Sequence, residues 1–379
     1  MAETTDVLVI GAGMAGASAA YELAAERRVI LLEQEARPGV HSTGRSAALF
    51  SETYGNAIVR ALSRESRPFL TEPPDGFGDT PLLGPRGALF VASEDQRAEL
   101  DELADGAAPG AFVWLTQAQV LARVPVLRPE AAALGLIEEG AMDIEVAALH
   151  QGYLAGLRRR GGRVATDAGV AALTRNAGLW AAATRAGDFA APIVIDAAGA
   201  WADQVATLAR LAPLGLAPKR RTVALIDGPA MDFSSWPLVI GADESFYFKP
   251  DAGRLLISPA DETDTPPTDA QAEDLDVAIA VDRIERATTL TVRRILHSWA
   301  GLRTFAPDRT PVCGFDPSAE DFFWLAGQGG YGIQTAAALA KRAARLIGGA
   351  PAIDEIDRAL APDRLTRARG QPASSRPAP

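Results

Sequence analysis

Val7-Leu8-Val9-Ile10-Gly11-Ala12-Gly13-Met14-Ala15-Gly16 is the stretch that decides the fold of this chain. Four apolar residues enter a G-x-G-x-x-G turn, and an Ala-rich run leaves it as a helix. A second apolar run, Val29-Ile30-Leu31-Leu32, ends in Glu33. That acid stands about 20 residues after the turn, where a ribose 2′-hydroxyl is bound in βαβ dinucleotide sites. The glycines have separate roles: Gly11 permits the tight turn, Gly13 lets backbone approach a pyrophosphate, and Gly16 lets helix and strand pack closely. Ala15 lies at the helix start, whose free N–H groups face the phosphates. Glu33, in place of an arginine, favours an unphosphorylated ribose, hence FAD or NAD rather than NADP.

The length of 379 residues predicts two or three domains. A composition of 48% hydrophobic and 22% charged residues is that of a soluble globular enzyme. The net charge of −11 argues against a nucleic-acid partner or an anionic membrane surface. Cys313 is the only cysteine, which excludes internal disulfides and a multi-thiolate metal site. His41, His150 and His297 have no companions at ligand spacing, so structural hydrogen bonding is expected of them and no metal. Glu3 and Asp6 stand where a signal peptide needs basic residues, and no apolar run reaches about 18 residues. A cytoplasmic protein with no transmembrane segment is the expectation.

Residues 57–70 read as a helix after a Tyr54-Gly55-Asn56 turn, and Ala88-Leu89-Phe90-Val91 reads as a strand. Helices are expected at 95–105 and 116–123, and Asp143 is a good N-cap for another over 144–160. Arg158-Arg159-Arg160 before Gly161-Gly162 gives that helix a basic last turn and a glycine cap. Strands follow around an Asn176-Ala177-Gly178 turn, then Ile193-Val194-Ile195 runs into a turn at Gly199 and a helix. Residues 221–260 are strand-rich, 261–269 form an acidic loop, and 270–288 read as helical. The strand Phe322–Ala326, a glycine-rich loop and a helix from about 333 to 347 return to α/β. Residues 370–379 form a polar tail expected to be disordered. The prediction is an α/β fold with an α+β insertion. A discontinuous Rossmann-like nucleotide-binding domain would take 1–80, 143–213 and 298–369, and a smaller sheet-containing substrate domain 81–142 and 214–297.

More motifs follow the first in order: His41-Ser42-Thr43-Gly44-Arg45-Ser46-Ala47-Ala48, then Asp196-Ala197-Ala198-Gly199-Ala200-Trp201. Gly301-Leu302-Arg303 comes next, ahead of Pro307-Asp308 and Pro311, and then Gly327-Gln328-Gly329-Gly330-Tyr331-Gly332-Ile333-Gln334. With these, the chain resembles the FAD-dependent amino-acid oxidoreductases related to D-amino acid oxidase, glycine oxidase and sarcosine oxidase. Within that group it is most similar to the bacterial D-arginine dehydrogenases, from the N-terminus to about residue 369. Leu149–Leu154, Pro213–Leu216, Pro218–Arg221 and Asp243–Tyr247 also carry the likeness.

The resemblance implies FAD, and oxidative deamination of D-amino acids to 2-oxo acids and ammonia by hydride transfer from Cα to flavin N5. Electrons would pass on to a quinone, an electron carrier or O₂. The FAD would be non-covalent, because the only thiol, Cys313, sits in an apolar strand-like stretch. Ser42, Thr43, Gly44, Arg45, Ser46, Ala47, Ala48 and Leu49 would wrap the pyrophosphate and flavin edge. Gln34 would join Glu33 at the ribose, Val170 would hold the adenosine by its backbone, and Gly199 would lie beside the cofactor. Gly329, Gly330, Tyr331, Gly332 and a helix starting near Ile333 would aim N–H groups at the flavin C2=O end. Arg221 and Arg303 would clamp the substrate carboxylate, Tyr54 and Tyr247 would cover the substrate, and Gln334 would stand near the flavin and the substrate amine.

The chain departs from the D-arginine dehydrogenase pattern at two positions. Ala88 replaces the glutamate that takes the substrate guanidinium, and Leu49 replaces a histidine near the flavin loop. With Leu238 and Ile240 they predict an apolar side-chain pocket, in which an unpaired cation would cost several kcal/mol. D-Arg and D-Lys should therefore be poor substrates. A secondary-amine oxidase of the sarcosine, glycine or proline type, or a flavoprotein with structural FAD and a binding role, are the alternatives.

Overall fold

Every residue of the strands Val7–Ile10, Val29–Leu32 and Phe322–Ala326 is buried, as continuous apolar runs require of a sheet covered on both faces. The computed structural model describes residues 2–365, so the tail expected at 370–379 lies outside the described residues. These strands belong to a six-stranded sheet in the order 163–165, 29–32, 7–10, 193–196, 322–326, 312–315. The first five are parallel and the strand Val312–Phe315 closes one edge antiparallel. Val7, Val9 and Leu31 pack under the helices Met14–Leu23, Val146–Arg159 and Ala336–Ile347. Leu8, Ile10, Ile30 and Leu32 pack on the opposite face, against Trp180 and Phe189 of a four-stranded sheet.

The second large sheet has ten strands, nine in the order 328–329, 295–305, 217–226, 254–258, 247–251, 238–241, 88–92, 134–138, 113–116, with 263–264 paired to 217–226. Its period of two sorts side chains to two faces. Leu89, Val239, Phe248 and Ala224 turn to a core shared with the helix Asp274–Ala287. Ala88, Phe90, Ile240, Tyr247, Arg221 and Arg303 turn the other way, into the cavity between the two sheets. The alternation along these strands is what brings the arginines and the apolar wall together. Among the described residues, no helix is long and apolar enough to cross a membrane.

Three expectations fail in detail. The strand Ile295–Phe305 pairs with Ala217–Ile226 over its length, from Ala217 opposite Phe305 to Ile226 opposite Ile295, so a domain boundary at 297/298 cuts through one strand of the ten-stranded sheet. Asp143 does not cap a helix. It lies in the strand Met142–Ile144, and its carboxylate accepts from Arg86 Nε at 2.6 Å and Lys249 Nζ at 2.7 Å, while the helix starts at Val146. The last α/β helix starts at Ala336, not near Ile333. Before it the chain makes tight turns: the Tyr331 carbonyl accepts from both the N–H and the hydroxyl of Thr335, at 3.1 and 2.8 Å.

Candidate active site

The glycine turn is shaped by what its α-carbons touch. Gly11 has φ +100°, and a Cβ there would lie 2.5 Å from the Ala197 carbonyl oxygen. A Cβ on Gly16 would lie 1.8 Å from the Gly11 oxygen. Both positions are closed to any larger residue by backbone. Thr43 Oγ1 accepts from Met14 N at 3.0 Å, so the stretch beginning at Ser42 is tied to the first turn of the helix. Glu33 is buried, and its two carboxylate oxygens accept from Ala12 N at 3.2 Å and Glu35 N at 3.0 Å. Burial raises its pKa, against those two backbone hydrogen bonds. His150 backs the turn: its Nε2 donates to the Ala12 carbonyl at 2.9 Å, and burial holds its pKa down, which keeps the ring neutral.

Residues 42–49 cross from this turn to the ten-stranded sheet. Ser42 Oγ donates to Leu302 O at 2.6 Å, and Arg45 Nη1 donates to Ala270 O at 2.7 Å and Ala300 O at 3.3 Å, while Nη2 pairs with Asp269. The cavity so enclosed has a volume of about 460 Å³. It runs from Glu33, Gln34, Val170 and Gly199 past Gly11, Gly13 and Ala15 to Tyr54, Arg221, Tyr247 and Arg303. Ser42, Thr43, Arg45, Ser46, Ala47, Ala48 and Leu49 line it, as do Gly329, Gly330, Gly332, Ile333 and Gln334. So do the expected side-chain pocket residues Ala88, Leu238 and Ile240, with Phe90 beside them.

Three expected cofactor residues do not line the cavity. Gly16 stands behind Gly11 and acts through packing. Gly44 closes a turn, its N–H donating to Gly39 O at 2.8 Å. Tyr331 is buried between Tyr54 and Phe305, with ring centroids 5.0 and 6.0 Å away. Gln334 lines the cavity, but its amide is spent on protein: Oε1 accepts from Ser51 N at 3.1 Å, and Nε2 donates to Ser63 Oγ at 2.7 Å and Ser51 O at 3.2 Å. It positions the strand before Tyr54.

At the far end, Arg303 donates to the Tyr54 hydroxyl, and Arg221 lies over the Tyr247 ring at 5.9 Å. Two features here have no motif behind them. Glu262 accepts from Arg303 Nη1 at 3.2 Å and from Arg309 at 2.9 and 3.0 Å, and lies 3.5 Å from Arg221 Nη2. Glu138, opposite Ala88 on the neighbouring strand, accepts from Ser51 Oγ at 2.6 Å, Thr53 Oγ1 at 2.7 Å and Glu52 N at 2.9 Å. That carboxylate anchors the stretch carrying Tyr54 through these three donors. His41, which lines the cavity at the Glu33 end against Trp201, pairs through Nε2 with Glu35 at 3.0 Å.

A family profile described as "DAO: FAD dependent oxidoreductase" matches residues 6–346. The chain belongs to the DAO family of FAD-dependent oxidoreductases. Among curated proteins it is similar to the uncharacterized oxidoreductase YurR of Bacillus subtilis, 24% identical over 366 residues, 90% of this chain and 94% of that protein. Among solved structures, the L-proline dehydrogenase of P. horikoshii superposes with a TM-score of 0.83 at 19% identity, covering 97% of this chain and 99% of that one. Glycine oxidase from Geobacillus kaustophilus gives 0.80 at 23% identity, covering 94% and 98%. These likenesses establish the same fold. FAD is the cofactor of this oxidoreductase, and the residues present fit it. Gly11, Gly13 and Gly199 line the cavity, a Cβ on Gly199 would meet no protein atom within 4 Å, and Gln328 Nε2 and His41 Nδ1, on two further lining residues, are buried without a hydrogen-bond partner.

Proposed function

We propose that this oxidoreductase oxidises the Cα–N bond of D-amino acids with apolar side chains, giving 2-oxo acids and ammonia after hydrolysis of the imine. One observation carries the reading: two arginines and two tyrosines meet the apolar residues Leu49, Ala88, Leu238 and Ile240 in one cavity with the dinucleotide turn. Arg221 and Arg303 hold the substrate carboxylate, since a planar guanidinium matches two oxygens as no lysine does. Tyr54 fixes Arg303 and Tyr247 flanks Arg221. The apolar wall takes the side chain and excludes water from it. FAD, when bound, supplies the two-electron oxidation at Cα. Positioning and electrostatics are what the chain adds.

The D configuration rests on the likeness of the motifs to the D-arginine dehydrogenases. Ala88 offers a cationic side chain no acid, and Glu138 opposite it lies off the cavity with three donors already on it, while Glu244 lines the cavity on the exposed turn before Tyr247. The similarity to a glycine oxidase and an L-proline dehydrogenase favours a second reading, a secondary-amine oxidase. Turnover with an artificial electron acceptor separates the two. D-leucine and D-methionine should release ammonia and 2-oxo acid faster than sarcosine, glycine or L-proline are oxidised, and the reverse order would establish the second reading. Cys313 is buried outside the cavity, and burial pushes its thiol up to about 12, so it forms no link to the flavin. Acid precipitation should leave all the yellow colour in the supernatant, and colour in the pellet would refute non-covalent binding.

A further inference from the structure

The arginine pair facing the cavity has a carboxylate already behind it. Glu262 Oε1 is within 3.2 Å of Arg303 Nη1, 2.9 Å of Arg309 Nη2 and 3.5 Å of Arg221 Nη2. Glu262 does not line the cavity, and its side chain is 30% exposed on the outer side of the pair. Each arginine has a second partner. Arg303 is also held by the Tyr54 hydroxyl, and Arg221 donates through Nε to the Asp261 carbonyl at 2.8 Å. Glu262 contributes a carboxylate in direct reach of both guanidinium groups, whereas the Asp261 carboxylate, which also acts on Arg221, is taken up by Thr222 N at 2.7 Å and Thr222 Oγ1 at 3.1 Å. Burial works to raise the pKa of Glu262. The Arg309 hydrogen bond and the charges of Arg303, Arg309 and Arg221 outweigh that and hold the carboxyl below its usual range, so it stays ionised.

We propose that Glu262 is a built-in counter-charge that weakens the grip of Arg221 and Arg303 on carboxylates, so that a small carboxylic acid, the 2-oxo acid product included, leaves the site instead of saturating it. The proposal rests on the reading that the substrate carboxylate binds these two arginines. Glu262 lowers the charge around the three guanidinium groups by one unit, and its loss raises it by one. A ligand carboxylate on the cavity side is separated from Glu262 by one guanidinium. In a partly solvated site, repulsion over that span is worth about tenfold in affinity. A glutamate in this place therefore trades binding strength for release.

The test is titration of the FAD-loaded enzyme with benzoate, a carboxylate that cannot be oxidised, followed by the shift in flavin absorbance. Glu262→Gln keeps an acceptor for the arginines and removes the charge. It should bind benzoate about tenfold more tightly than the parent, lower KM for D-leucine and strengthen inhibition by the 2-oxo acid product. Glu262→Asp, which restores the charge, should return benzoate affinity toward the parent value. Unchanged or weaker benzoate binding by Glu262→Gln at an unchanged Tm would overturn the counter-charge. Arg303→Ala tests the reading beneath it: loss of benzoate binding is expected, and a parental Kd would overturn the carboxylate clamp itself.

Discussion

The two ends of this cavity are built from different materials. At the Gly11–Gly16 end backbone packs on backbone, and the free N–H groups of one short stretch meet Glu33 and Thr43. At the Arg303 end the contacts are side chains, drawn from Tyr54, Arg221, Tyr247, Glu262 and Arg303 on separate segments. A backbone cradle fails when an atom is added. A side-chain cluster absorbs added atoms and fails when its chemistry changes.

A pair of glycines makes that difference measurable. A Cβ on Gly16 would lie 1.8 Å from the Gly11 carbonyl oxygen, which cannot move without opening the turn. A Cβ on Gly330 would also lie 1.8 Å from its neighbour, but that neighbour is Arg303 Nη2, the end of a flexible side chain. Gly16→Ala should purify colourless, without FAD. Gly330→Ala should keep its FAD and lose about tenfold or more in kcat/KM as Arg303 is displaced. The absorbance ratio of flavin to protein reads the first effect and steady-state kinetics the second. Equal loss of FAD from both variants would break the distinction.

Arg303→Lys changes the chemistry of the same side chain directly. It keeps the charge and loses the planar fork, so kcat/KM should fall by an amount worth about 2–5 kcal/mol, with FAD content and Tm retained. Near-parental kcat/KM would remove Arg303 from the clamp.

The asymmetry also explains what could be read in the sequence. The cradle is local, so spacing alone announced it: an apolar run, three glycines at fixed offsets and an acid one strand later. The clamp is non-local. A run such as Lys219-Arg220-Arg221 looks like a surface basic patch, and only the pairing of strands turns Arg221 to the cavity while Arg220 goes to Glu273 and Asp276. The resemblance to the D-amino acid enzymes pointed to Arg221 and Arg303, whereas nothing in the sequence pointed to Glu262 or Glu138, whose partners lie up to 87 positions away. Asp143 was misread for the same reason. Its position before a helix suggests a cap, and its real partners, Arg86 and Lys249, are supplied by the fold.

Ala88→Glu sharpens the side-chain end. The new carboxylate would share a face with Glu138, whose repulsion limits the gain. The ratio of kcat/KM for D-Arg over D-Leu should still rise, by roughly 1 kcal/mol. A parent that already prefers D-Arg, or an unmoved ratio, would displace Ala88 from the side-chain pocket. The smallest expected effect is at the cradle. His150 is buried and neutral, with its pKa lowered by burial, so the unfolded chain takes up a proton near pH ~6.5 that the folded chain resists. Its contribution to stability is therefore complete above that pH and is lost as pH falls through the window below it. His150→Gln should flatten the fall in Tm between about pH 7.5 and 5.5 by roughly 1–2 °C. An unchanged slope would show that His150 is not part of the pH response.

Mixing the FAD-loaded enzyme anaerobically with D-leucine, L-leucine and D-arginine, and following the loss of yellow flavin colour, tests the central claim most directly. On the proposed reading D-leucine should bleach the flavin fastest, with L-leucine slower from the likeness to D-amino acid enzymes and D-arginine slower because an apolar wall leaves its cation without a partner. Fast bleaching by L-leucine or D-arginine, or none by any D-amino acid, would contradict it.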